Sequence, residues 1–264
     1  MIETFADACL HAFRKRCWPA EPEASFGDLS LEESYRVQDL VTARRVAEGE
    51  VVAGYKVGCT SAAIRAQFGL REPISGRLFH PFVHEEGVNL DWTGFANCAL
   101  EPEMVLQIGR DLSGADLSEE ELRAGIASVR VGLEVHNYTF WQGIPTVQEL
   151  VCSGGIHACL VVGSDSCSPD ALTFREESFS LSINGSLRAS ERAEAIMGGP
   201  LQSLRWLVEF LTARGEVLPR GALVIPGSPT ELIPLDEDAR VEAEITGVGR
   251  VVTAFRKGGL HPEG

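Results

Sequence analysis

Apolar residues recur at helical spacing at the start of the chain, where Ile2, Phe5, Cys9 and Phe13 fall on one face. That pattern predicts an amphipathic helix ending before Trp18-Pro19, because the residue preceding a proline is steered away from helical backbone. A connection containing Pro, Glu and Gly follows. Ser30 and Glu33 then form a capping-box pair, and Leu31, Tyr35, Gln38 and Val41 carry a second helix to about Val46. Beyond Gly49 the chain breaks into short β-like runs separated by Gly, Pro and Asn. They cover Val51 to Val57, Cys98 to Ile108, Val129 to Val135, His157 to Val162, Phe179 to Ala189, Ala222 to Ile225 and Val241 to Phe255. Asn184-Gly185 between alternating residues is a two-residue hairpin signal, and Gly247-Val248-Gly249 reads as a second tight hairpin. Two helices interrupt the strands. One is capped by Ser118 and Glu121 and runs towards Ser128. The other opens at Pro200, carries Leu201, Leu204, Leu207, Val208 and Leu211 on one face, and stops at Gly215. Strands dominate without alternating regularly with helices, which predicts an α+β fold and not a doubly wound sheet. Residues 1–50 read as a helical arm and residues 51–264 as a β-rich domain.

Composition narrows the function classes. The chain has 264 residues, 44% of them hydrophobic, enough for a large core. No apolar run approaches the roughly 20 residues that span a bilayer, so no membrane role is expected. Acids appear early in Met1 to Asp7, so no signal peptide is expected either. Seven cysteines, an odd number with no CxxC pair, fit a reduced, cytoplasmic protein. The formal charge of -15 excludes nucleic acid as a partner, which would need a basic patch. It also means that an anionic substrate requires locally supplied positive charge, from a metal ion or a placed lysine.

The segment from Cys98 to Ile108 answers that requirement. Residues two apart on a strand point the same way, so Glu101 and Glu103 lie side by side just before an apolar stretch. Carboxylates held that close repel unless a cation or proton sits between them. Glu134 is a lone acid inside a second apolar run, Val129 to Val135. Three carboxylates form a hard ligand set suited to Mg²⁺ or Mn²⁺. Acid pairs on strands are also common solvated features, and spacing alone leaves both readings open. Lys56, flanked by small and apolar residues between Val51 and Ser61, is a second candidate. Burial would lower its pKa and suit it to proton transfer, whereas a lysine that snorkels to the surface would do neither. Among the histidines, His80 and His84 are separated by Pro81, His136 shares a strand face with Glu134, and His11 and His261 look incidental. No Gly-x-Ser-x-Gly elbow, phosphate loop or dinucleotide fingerprint is present.

Taken in order, these segments resemble the 2-oxopent-4-enoate hydratase and 4-oxalocrotonate decarboxylase group of the fumarylacetoacetate hydrolase superfamily. Gly54 to Ser61 is similar to the group's Gly-x-Lys-x-Gly-x-Thr segment; Glu72-Pro73 and Gly76-Arg77-Leu78-Phe79 follow it. Glu101-Pro102-Glu103 with Gly109 to Leu112 resembles its Glu-x-Glu strand, and Leu133-Glu134-Val135 supplies the third acid. The resemblance implies a mixed β-sheet roll of the superfamily's C-terminal type with an N-terminal helical arm. It also implies Mg²⁺ or Mn²⁺ on Glu101, Glu103 and Glu134, Lys56 moving protons, and Thr60 and Ser153 contacting the substrate. The expected reaction is hydration of a 2-hydroxyalka-2,4-dienoate to a 4-hydroxy-2-oxo acid by a homo-oligomer, with association with a related decarboxylase or hydratase.

Three segments depart from the group's pattern: Ile74 stands where an aspartate is usual, Cys152-Ser153 where an Asp-Asn pair is usual, and Pro226 where a threonine is frequent. The His-Glu dyad of the superfamily's hydrolases is missing from Ala62 to Gln67, which disfavours C–C hydrolysis. Decarboxylation of a 2-oxo-3-ene dioate is the alternative within the same site, with Arg77 or Arg188 as candidate cations for the second carboxylate. A catalytically silent partner subunit of the same fold is the alternative of another class.

Overall fold

The computed structural model describes residues 1–16, 25–137 and 145–260. The expected helix stop at Trp18-Pro19, and Cys17 and His261, lie outside them. The chain opens with α1 (Ile2–Lys15) and α2 (Leu31–Ala47). Ser30 and Glu33 make the full capping box, each side chain bonding the other's backbone N–H. Thereafter come β1 (Val52–Gly58), α3 (Ala62–Gln67), β2 (Ile74–Phe79), β3 (Val83–Glu85), β4 (Asn89–Leu90) and β5 (Cys98–Ile108). The middle holds α4 (Glu119–Ala124), β6 (Ile126–Asn137), α5 (Val147–Cys152), β7 (His157–Cys167), β8 (Ser178–Ile183) and β9 (Ser186–Arg192). The end comprises α6 (Pro200–Ala213), β10 (Leu223–Ile225), β11 (Ile233–Pro234), β12 (Ala239–Ile245) and β13 (Gly249–Phe255).

Two sheets form. The larger runs β2-β1-β10-β5-β6-β7-β3, with β11 also on β5, and the smaller runs β4-β13-β12-β8-β9. Parallel pairs (β1 with β10, β3 with β7, β4 with β13) occur among antiparallel ones, so the architecture is α+β with mixed sheets. Asn184 and Gly185, both at positive φ, turn β8 into β9 as the dipeptide predicts. The inner faces of the two sheets share one apolar core. Leu100, Met104 and Leu106 of β5 and Val131, Leu133 and Val135 of β6 meet Phe179, Val241, Ala243 and Phe255 there. The apolar face of α6 closes the same core.

The helix expected to run towards Ser128 stops at Ala124. Gly125 O already accepts from Gly109 N at 2.8 Å, so Ile126 onwards is committed to the ladder with β5. The helices α3 and α5 and the strand β2 add to the elements that patterning predicts. The N-terminal helices pack on α5 through a separate cluster of Phe5, Cys9, Phe26, Val37 and Cys152. They also meet the edge strand β2. The Tyr35 hydroxyl accepts from Ser75 N at 3.2 Å, while Gln38 Nε2 donates to Ser75 O at 2.9 Å and to Val151 O at 2.6 Å.

Candidate active site and metal centre

The site lies on the face of the larger sheet opposite the shared core. Alternation along β5 puts Leu100, Met104 and Leu106 into the core and Glu101 and Glu103 on the other face. In the register of β5 with β6, Glu101 pairs with Glu134, Glu103 with Gly132 and Ala99 with His136. Directly opposed residues project from the same face. Glu101, Glu103, Glu134 and His136 are therefore set together by two strands. Glu103, Glu134 and His136 are almost wholly buried, at 1%, 0% and 2% exposure, and Glu101 is half-buried.

Lys56 enters from β1. Its strand partner Ile225 is the last residue of β10, so the sheet opens beyond it and the side chain reaches towards β6. Lys56 Nζ donates to Glu134 Oε1 at 2.6 Å and to Gly155 O at 3.2 Å. Gly155 has φ +77, and a Cβ there would stand 3.2 Å from Lys56 Cε, so the close approach needs glycine. The loop after β10 closes the other side: Ser203 Oγ donates to Pro226 O at 2.5 Å, and Gly227 N donates to Glu103 Oε2 at 3.2 Å.

Glu134 is the hub. Its Oε1 also accepts from His157 Nδ1 at 2.7 Å, while His136 Nε2 lies 3.0 Å from Glu101 Oε2 and 3.3 Å from Glu134 Oε2. His157 is a residue that sequence reasoning did not weigh as chemistry. Cys159 and Val161 face the core, and strict alternation would send His157 there as well. A bulge places Val135 opposite Cys159 but His136 opposite His157, and the extra residue turns His157 onto the site face. A histidine at the first position of an apolar strand was the available signal.

Electrostatics follow from this packing. Burial pulls the Lys56 ammonium down, but the charge and hydrogen bond of Glu134, backed by Glu101 and Glu103, hold it above its ordinary value. This corrects the expectation that burial lowers it: three acids outweigh desolvation. Burial raises the Glu103 carboxyl well above the usual range, and Glu134 and Glu101 add to this. Burial acts likewise on Glu134, yet His136 and Lys56 bring it well below. Burial lowers His157 in spite of Glu134.

The donor set fits a divalent cation. Hard carboxylate oxygens face a largely buried place, where the charges of Glu134 and Glu101 add to the rise of the Glu103 carboxyl. Glu134 Oε2 is buried without a hydrogen-bond partner among the described residues, which leaves an acceptor free for an ion. Ligand atoms of Glu101, Glu134 and His136 all lie within 4.8 Å of one another.

The other expected site residues fall differently. Thr60 is buried against Gly227, where a Cβ would stand 2.6 Å from its Cγ2. Ser153 uses its hydroxyl inside its own turn, donating to Leu150 O at 3.1 Å and accepting from Ile156 N at 3.3 Å. Ile74 sits in an apolar cluster with Leu150, Val151 and Ile156, and Cys152 is buried with its Sγ donating to Ser34 O at 3.6 Å. Of the two arginines considered for a second carboxylate, Arg77 is bound to Asp39 and Glu216, both at 3.0 Å, and Arg188 lies on β9, at the edge of the other sheet. Neither reaches the carboxylates. His80 and His11 are exposed and apart from the site.

No protein-family model matches the chain. A 2-keto-4-pentenoate hydratase of Paraburkholderia xenovorans is 27% identical over 235 residues, covering 88% of this chain and 86% of its own. A 2-hydroxyhexa-2,4-dienoate hydratase of Comamonas testosteroni is 25% identical over 256 residues, covering 96% and 97%. Among solved structures, 4-oxalocrotonate decarboxylase from Pseudomonas putida G7, complexed with magnesium and adipate, superposes with TM-score 0.91 at 23% identity over 96% of this chain and 97% of its own. Fumarylpyruvate hydrolase from Pseudomonas aeruginosa, with Mn²⁺ and pyruvate, gives TM-score 0.60 at 19% identity over 76% and 88%. In sequence the chain is thus similar, along most of its length, to curated hydratases of 2-oxo- and 2-hydroxydienoic acids, and it shares the fold of 4-oxalocrotonate decarboxylase.

Proposed function

We propose that this chain is a metal-dependent lyase that hydrates a small 2-hydroxyalka-2,4-dienoate to a 4-hydroxy-2-oxo acid. The observation that carries the reading is the placing of Glu101, Glu103 and Glu134 on one strand face, with Lys56 on Glu134 Oε1 at 2.6 Å. Glu101, Glu103 and Glu134 would hold Mg²⁺ or Mn²⁺. When bound, such an ion polarises the 2-oxo group and stabilises negative charge on its oxygen. Lys56 holds a proton at Nζ, inside a water-poor pocket, and is placed to deliver it to a substrate carbon or take it back. Glu134 orients that ammonium, and His157 in turn fixes Glu134. Gly227 N–H holds Glu103. Thr60, packed under the same glycine, lines the substrate's approach, and Ser153 shapes the turn that carries Gly155.

The same reading treats residues 1–50 as an arm and residues 51–264 as the catalytic body. It places the protein in the cytoplasm as a homo-oligomer, with a related decarboxylase or hydratase as a possible associate. Among the described residues six cysteines are free thiols, and no helix is long and apolar enough to cross a membrane.

The test is an assay of purified protein with 2-hydroxypenta-2,4-dienoate, with and without Mg²⁺ or Mn²⁺, and in parallel with an oxalocrotonate. Metal-dependent formation of the 4-hydroxy-2-oxo acid, lost in Lys56→Met, is the expected outcome. Carbon dioxide release from the dioate without hydration of the monoacid overturns it in favour of decarboxylation. Absence of turnover with either, from metal-loaded folded protein, overturns it in favour of a silent partner subunit.

A further inference from the structure

The carboxylate face carries an imidazole that a set of three glutamates does not require. His136 is two residues beyond Glu134 on β6 and opposite Ala99 on β5, so it projects from the same face. It is buried, and its Nε2 stands 3.0 Å from Glu101 Oε2 and 3.3 Å from Glu134 Oε2. Neighbouring donors on an octahedral ion with bonds of about 2.1 Å lie about 3 Å apart. Both separations match such an edge. Glu134 Oε2, on that edge, is the buried oxygen without a hydrogen-bond partner. Glu103, by contrast, already has its Oε2 engaged by Gly227 N–H at 3.2 Å. The imidazole is held on this face by Glu101 and Glu134, the same carboxylates that an ion would take.

We infer that His136 Nε2 is a direct ligand of the divalent ion, alongside the glutamates, and that it tunes the site towards Mn²⁺ over Mg²⁺. An imidazole nitrogen is a poor match for Mg²⁺, which demands oxygen donors, and a better one for first-row transition ions. Glu101, Glu134 and His136, with Glu103 through its other oxygen, would leave two positions on a six-coordinate ion, the number that a carboxylate and its adjacent 2-oxo oxygen occupy. The inference rests on the metal-dependent reading above and specifies how this chain executes it.

Pulsed electron paramagnetic resonance on the full-length protein loaded with Mn²⁺ tests it directly, together with calorimetric titration of Mn²⁺ and Mg²⁺. The wild type should show coupling of a directly bound ¹⁴N nucleus to Mn²⁺, and should bind Mn²⁺ at least tenfold more tightly than Mg²⁺. His157→Gln, which removes the other imidazole on Glu134, should keep the coupling. His136→Gln should lose it and bring the two affinities together. Mn²⁺ bound without nitrogen coupling in the wild type overturns the role of His136 and leaves the function reading standing, with no variant needed. Loss of the coupling in His157→Gln alone reassigns the nitrogen and equally overturns it. Failure of the wild type to bind either ion overturns both.

Discussion

The strands β5 and β6 have two faces that are both buried at their centre and carry opposite chemistry. Towards the second sheet, Met104 and Leu106 are 0% exposed among other hydrocarbon side chains. On the reverse, Glu103 and Glu134 are 1% and 0% exposed. Removal from water stabilises the first face and strains the second, where each charge needs a partner to be tolerated. The pleat separates the two within a single residue step, so the face that closes the shared core and the face proposed for chemistry share a backbone but no side chains. Changes on one face should therefore act on stability, and changes on the other on activity.

Glu134→Gln should break the site face most severely. It removes the negative charge that Lys56 and His157 share and weakens a proposed metal ligand together, so turnover should fall by about 10⁴-fold or more in steady-state assays. Lys56→Met should come next, with turnover reduced about 10³-fold while calorimetry still detects Mn²⁺ binding. If binding were lost as well, the lysine would be holding the carboxylates and not moving protons. On the core face, Leu106→Ala should cost about 2–5 kcal/mol in denaturant unfolding, with the turnover of the remaining folded enzyme unchanged. A changed rate constant there would show that the pleat does not insulate the faces. Saturating the wild type with Mn²⁺ at a hundredfold over its dissociation constant should add about 2.7 kcal/mol, read as a rise in melting temperature. The smallest effect expected is that of Ser30→Ala, which removes the cap of α2 for about 1 kcal/mol and leaves turnover alone.

What the sequence discloses of this arrangement follows the same division. Period-two spacing is enough to put Glu101 and Glu103 on one face, because strand geometry admits no other outcome. The amphipathic first helix, the capped start of the second at Ser30 and the Asn184-Gly185 turn are equally local, and each appears where its signal lies. Cross-strand facts are not local. That Glu101 faces Glu134 is a matter of register, and that His157 reaches Glu134 depends on a bulge that reverses its face. The turn that consumes the Ser153 hydroxyl, and the raised state of Lys56, likewise arise only once distant acids and backbone carbonyls are brought together. Short α3 and α5 carry too few residues for a helical period to register, although each has a capping residue in place, Ser61 and Thr146.

Ser75 is where α2 and the larger sheet meet. Its N–H and C=O point away from β1, off the open side of β2, and both are taken by side chains of α2: the Tyr35 hydroxyl and the Gln38 amide. In effect a phenol and a carboxamide stand where the backbone of another strand would otherwise hydrogen-bond. A bare edge of this kind is a template for pairing with a second copy of itself. Cutting the chain back to residues 51–264 would therefore do more than remove two helices. It would uncover an adhesive strip, and the shortened protein is expected to aggregate through β2 instead of surviving as a smaller enzyme.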